Sequence, residues 1–265
     1  MTNRPSQPLP SRLLVYQMGK VGSKAVVSAL RRSQLAMPVD HLHFLNDLDG
    51  VEAGIRRSWF RSGAQLAHLD HCRRIRREWE RSAAHWYVIT LVRDPLAREA
   101  SAFFYNLDLK IRRWLRLGFM RRWYFQQQSM SSLRDRFLGQ VNLDGGDYWF
   151  RHQFEPVFGI DLLSEPFPRD RGYGIHRREN LDVLVLKLEQ LAASAEAAFS
   201  EFLGLEGIEV PPGNQARNLS YSETYKSFLE STQVPGEMLD QVYSSAAVRH
   251  FYSPGEIDSL RQRWS

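Results

Sequence analysis

The sequence predicts an α/β domain built on a parallel β-sheet with helices on both faces. Three observations point to it. The strand candidates are nearly uniformly apolar, as strands buried on both faces of a parallel sheet are; Trp86-Tyr87-Val88-Ile89-Thr90-Leu91-Val92 and Leu181–Leu188 are the clearest. Segments with helical periodicity lie between them, which is the alternation that βαβ units produce. The two most chemically marked segments, 17–24 and 93–101, each begin where a strand candidate ends. That is the edge at which ligands bind in open α/β sheets.

Residues 1–11, with Pro5, Pro8 and Pro10, read as a loose tail lacking the apolar stretch of a secretory signal, and residues 12–265 as one domain. Leu13-Leu14-Val15-Tyr16 is a short strand that stops at a glycine-bearing loop, and Ala25–Leu30 follows with helical spacing. Val39–Leu45 is a second strand entered through Pro38, with His41 and His43 on one face by the two-residue period of a strand. Residues 51–84 look helical, and Arg73, Arg74, Arg76 and Arg77 make a solvated face. The strand Trp86–Val92 is β-branched and aromatic nearly throughout. It runs into Arg93-Asp94-Pro95, where Asp94 suits an N-cap and Pro95 the first helical position. A long helical region is expected from there to about Gln140, and mixed short elements over 141–180. A buried strand over 181–188 and an Ala-rich helix over 189–204 come next, with loops and two short helices in the last 50 residues.

Composition excludes several function classes. The chain has 265 residues with 35 Lys plus Arg against 30 Asp plus Glu, a net +5 too mild to demand nucleic acid as partner. Cys72 is the single cysteine, so no intramolecular disulfide and no cysteine-based zinc or iron–sulfur site is expected. A lone thiol fits a reducing compartment, and no run of about 20 apolar residues is present to span a bilayer. The expectation is a cytoplasmic protein, free or peripheral at the inner membrane face, with no metal. The basic residues divide into 30 Arg and only 5 Lys, yet two of the lysines fall within Gly19-Lys20-Val21-Gly22-Ser23-Lys24.

That window is the first constellation. A glycine turn opening a helix offers backbone N–H groups and the positive end of the helix dipole to an anion. Lys20 and Lys24 add point charges and Ser23 a hydroxyl. The order differs from G-x-x-x-x-G-K-[ST], because Lys20 precedes the second glycine. A phosphate cradle without the usual Mg²⁺-holding pair is expected, which weighs against a P-loop kinase. In the second constellation, Arg93-Asp94-Pro95-Leu96-Ala97-Arg98-Glu99-Ala100-Ser101, Arg93 at the strand tip and Ser101 on the helix would hold a second phosphate. Arg98 is expected instead to pair with a neighbouring acid.

These two segments resemble the 5′-phosphosulfate loop and the 3′-phosphate motif of the sulfotransferases that use 3′-phosphoadenosine 5′-phosphosulfate (PAPS). Residues 93–101 match R-[DN]-P-x-x-R-x-x-S at every fixed position; the loop matches at Lys20, Gly22 and Ser23 and departs at Lys24. Phe158-Gly159-Ile160-Asp161, Leu184–Leu191 and Phe251–Ile257 are similar to bacterial sulfotransferase-like proteins linked to capsular polysaccharide synthesis. The resemblance covers most of residues 12–265. It implies a P-loop-like sulfotransferase fold and transfer of a sulfonate from PAPS to a hydroxyl acceptor of the carbohydrate class, an anionic glycan being one candidate. It further implies that Lys20 meets the leaving phosphate and the sulfonate, that residues 19–24 surround the 5′-phosphate, and that Arg93 and Ser101 hold the 3′-phosphate.

The base is left among three residues. His41-Leu42-His43 suits deprotonation of a hydroxyl near neutral pH. The heparan and chondroitin 2-O-sulfotransferases are similar here, with an H-x-H that serves as base. Glu155, within Trp149–Glu155, is the competitor, since other sulfotransferases use a Glu. Arg217 and Asn218 lie in a polar loop where the family often returns over the nucleotide. Lys110–Phe125 interleaves six basic residues with Trp114, Phe119, Trp123, Tyr124 and Phe125. An Arg-covered helix with its aromatics in the core is expected; contact with an anionic membrane or a polyanion is the alternative. The rival to catalysis is a module that binds a nucleotide or polyanion without turnover.

Overall fold

The computed structural model describes residues 12–33, 35–57, 63–210 and 219–265. Its centre is a five-stranded sheet of β1 (Arg12–Tyr16), β2 (Val39–Leu42), β3 (Trp86–Val92), β4 (Tyr173–Arg177) and β5 (Leu181–Lys187), in the order β2-β1-β3-β5-β4. The first four strands in that order run parallel and β4 runs antiparallel to β5. Leu13–Tyr16, Val88–Val92 and all of β5 are buried, which is why these runs carry no polar alternation. The sequence pattern missed β4, a five-residue edge strand with the mixed composition that an edge tolerates.

Helices flank the sheet. They are α1 (Ser23–Arg32), α2 (Leu48–Arg57), α3 (Gly63–Arg81), α4 (Pro95–Ile111), α5 (Gly118–Gln126), α6 (Met130–Leu138), α7 (Asp147–Trp149), α8 (Glu155–Phe158) and α9 (Leu191–Leu203). Four more follow: α10 (Ser222–Ser231), α11 (Gly236–Tyr243), α12 (Ala246–Phe251) and α13 (Pro254–Trp264). The helical region expected to about Gln140 is divided into three helices. Leu117 is extended ahead of α5, and the Ser129 hydroxyl accepts from Ser132 N–H to start α6 afresh. The C-terminal region likewise holds four helices where two were expected. Ser245 caps α12, and Ser253 with Glu256 forms a capping box behind Pro254.

The Lys110–Phe125 segment corrects a second expectation. Only Phe125 of its aromatics is fully buried, while Trp114, Phe119 and Trp123 are exposed. Burial of Phe104, Phe125, Tyr221 and Phe228 against one another fills the space beneath α4 and α5. Trp114, Phe119 and Trp123 are left facing outward, and Tyr124 is half-buried against the core.

β1 sits between β2 and β3, so the chain leaves β1 in one direction and returns on its other side. That reversal opens a crevice beyond the carboxyl ends of β1 and β3. Residues 17–24 and 93–94 both lie there.

Candidate functional site

The loop after β1 turns through two left-handed residues, Lys20 (φ 71°) and Gly22 (φ 83°). Gly22 is the N-cap of α1 and no side chain caps that helix, so its first N–H groups face the crevice. The φ of Gly22 favours glycine, and a Cβ there would also stand 2.5 Å from Leu188 Cδ1, so that a side chain would have to displace the leucine. Gly19 carries no such steric demand. Val21 is buried and Lys24 is exposed.

Arg93 donates from Nη1 to the Lys20 carbonyl at 2.8 Å, which ties the β3 tip to the loop. The Lys20 ammonium lies 4.0 Å from the centre of the Tyr105 ring, one turn beyond Ser101 on α4. Burial, then the charges of Lys24 and Arg93, lower the Lys20 pKa to about 8. Among the described residues none of these three cations has a carboxylate partner. A cluster of like charges left uncompensated beside an uncapped helix favours an anion. Arg98 pairs with Glu99, the acid-paired role expected of it.

Asp94 does more than cap α4. Its carboxylate accepts from Leu96 N–H, from the Tyr243 hydroxyl at 2.9 Å and from Trp264 Nε1–H at 3.1 Å. Its own N–H donates to Glu189, whose second oxygen accepts from Tyr252. The Arg-Asp-Pro step is thereby locked to α11, α13 and the start of α9. Lys187, buried at the end of β5, pairs with Glu256 and donates to the Arg169 carbonyl.

The two histidines meet with ring centres 4.8 Å apart. His41 Nε2 lies 2.9 Å from both the Gln17 amide nitrogen and Ser23 Oγ, so that nitrogen is taken up by the loop. Burial lowers its pKa to about 4, with His43, His68 and nearby cations adding to the shift. His43 Nδ1 is 3.0 Å from the Gln17 carbonyl. A carbonyl only accepts, so Nδ1 carries the hydrogen and a neutral His43 keeps its lone pair on Nε2. Burial also lowers the His43 pKa, against the Gln17 bond that raises it, and Lys24 and Lys20 lower it further.

His43 and Gly19 form one wall of a cavity of about 410 Å³. Asp47, Arg98, Asp144, Tyr148, Trp149 and Gln153 are among its other lining residues, a mix of flat rings and polar groups that suits a hydroxylated molecule. Gln153 went unnoticed in the sequence. It sits in a π-turn, Phe150–Phe154, where its Oε1 accepts from Leu45 and Asn46 N–H and its carbonyl from Tyr16. Such wide turns gather at functional sites. Glu155, two residues on, is exposed and does not line the cavity. Arg217 and Asn218 lie outside the described residues. Among the described residues no cluster of three or more His, Cys, Asp or Glu is placed to hold a metal. Cys72 is buried and its thiol pKa rises to about 11, chiefly through desolvation, so it is a poor nucleophile.

Residues 129–253 match the NKWYS family model, described as "Putative capsular polysaccharide synthesis protein". The matched stretch carries the cavity residues from Asn142 to Gln153 and begins after both anion-marked segments. No curated protein and no solved structure matches the chain.

Proposed function

We propose that this chain transfers a sulfonate group from PAPS to a hydroxyl of a carbohydrate. The observation that carries the reading is the convergence of Lys20, Lys24 and Arg93, three cations with no carboxylate partner among the described residues, on the uncapped start of α1. The resemblance of residues 17–24 and 93–101 to PAPS-binding segments selects the nucleotide, and the polysaccharide-related match over 129–253 supports a glycan acceptor.

The co-substrate supplies an activated sulfonate: its S–O bond to the 5′-phosphate breaks as the acceptor oxygen bonds to sulfur. The α1 amides with Lys20 hold the 5′ end, and Arg93 with Ser101 holds the 3′-phosphate. Charge grows on the bridging oxygen as it departs, and a fixed ammonium at Lys20 stabilises it. His43 Nε2 takes the proton of the attacking hydroxyl, its tautomer fixed by the Gln17 carbonyl. His41, engaged with Ser23 and Gln17, positions the loop.

The test is sulfonate transfer from labelled PAPS to a panel of oligosaccharides. His43→Ala is expected to lower turnover by about 10²–10⁴-fold with nucleotide affinity unchanged. Glu155→Gln is expected to leave both intact. Full turnover in His43→Ala, or nucleotide binding without transfer to any acceptor, contradicts the proposal.

A further inference from the structure

We propose that the α4–α5 turn and α5 dock the protein on an anionic phospholipid bilayer. Five apolar side chains stand out from this segment: Trp114 is 85% exposed, Phe119 71%, Trp123 63%, Leu117 54% and Met120 37%. On α5, Phe119 and Trp123 lie four residues apart and share a face, with Met120 beside them. The same segment carries Lys110, Arg112, Arg113, Arg116, Arg121 and Arg122; residues 109–128 contain no acid, Asp108 pairs with Arg112 and Arg121, and Glu223 with Arg122.

The apolar groups are held outward by the turn itself. Arg121 donates from Nη1 to the carbonyls of Leu115 and Arg116, and its Nε stands 3.3 Å from buried Asp108. Asp108 also receives Arg112 and the Ser220 hydroxyl. This network fixes the turn without burying Trp114, Leu117 or Phe119. The surface is thus preformed, and inserting it into a bilayer orders little that is not ordered already.

A bilayer of anionic lipid satisfies both halves of the surface at once. Arginine meets headgroup phosphates, tryptophan sits at the interface, and Leu117, Phe119 and Met120 reach the acyl boundary. An acidic polymer would satisfy the charges and leave Leu117 and Met120 in water. A second copy of the chain would oppose like charges across a two-fold interface. No helix among the described residues is long and apolar enough to cross a membrane, so the contact is peripheral. The proposal stands apart from the sulfonate-transfer reading.

The experiment is co-sedimentation of the full chain with two kinds of vesicle, phosphatidylcholine alone and phosphatidylcholine with about a third phosphatidylglycerol. Binding to the anionic vesicles is expected, with a blue shift of tryptophan emission and weakening in salt. W114S/F119S/W123S is expected to lose at least about tenfold in affinity and R116E several-fold, each with unchanged melting temperature. The proposal is overturned by absence of vesicle binding, by binding equal for both lipids, or by variants that bind as well as the original. Capture on a sulfated polymer alone, or dimerisation alone, also overturns it.

Discussion

Lys20 adopts a left-handed backbone conformation that an L residue enters at a cost of roughly 1–2 kcal/mol, and its ammonium lies over the Tyr105 ring within the field of two other cations. Its pKa of about 8 has a direct consequence for affinity. A bound phosphate favours the charged form and raises that pKa, so binding takes up a proton above pH 8 and none well below it. Affinity for 3′-phosphoadenosine 5′-phosphate is therefore expected to be flat between about pH 7 and 8, above the phosphates' own titration near 6, and to fall by about tenfold per pH unit just above that. Calorimetric titrations across that range check this. Lys20→Ala should bind weakly with no such slope, and Lys20→Arg should not restore the original affinity, because a planar fork does not replace a compact ammonium. The roles of His41 and His43 separate at the same scale. Their shared face was legible from the two-residue strand period. Which nitrogen stays available was not, because that depends on Gln17 and Ser23, more than 15 residues away in sequence.

At the scale of elements, Asp94 links the site to the body of the protein. It read from the sequence as a helix cap, which it is, and α4 begins where Pro95 said it would. Its reach to Tyr243 and Trp264 spans 149 and 170 residues and leaves no local trace in the sequence. Removing the carboxylate strands a buried hydroxyl, a buried indole N–H and the Leu96 N–H at the start of α4. Asp94→Ala is thus expected to cost about 2–5 kcal/mol in urea unfolding. Asp94→Asn, which keeps an acceptor, should cost less. Equal stability of Asp94→Ala and the original chain would show that this lock does not hold α11 and α13. The β1, β3 and β5 strands and the start of α4 were legible because burial on both faces and capping write themselves locally. The breaks at Leu117 and Ser129 and the edge strand β4 were not, since tertiary packing decided them. The capping box at Ser253–Glu256 was present in the sequence and could have revealed α13.

Over the whole molecule, the strand order β2-β1-β3-β5-β4 brings two distant segments to one crevice, with the histidines and the 410 Å³ cavity beside them. The anion side of that crevice comes from residues before 102 and carries motif spacing, so it was readable. The cavity side is assembled from at least four separated stretches, including a π-turn, and no periodicity announces it. The polysaccharide-related match covers the cavity residues from Asn142 to Gln153, whereas the charges that would hold a nucleotide lie outside it. The segments before residue 102 are accordingly proposed to bind a nucleotide carrying phosphates at both its 3′ and 5′ positions. Calorimetry with 3′-phosphoadenosine 5′-phosphate tests it most directly. The original chain and Glu155→Gln should bind alike, with Lys20→Ala and Arg93→Ala each weaker by about 10- to 100-fold. No binding by the original chain, or undiminished binding by both variants, would contradict the account.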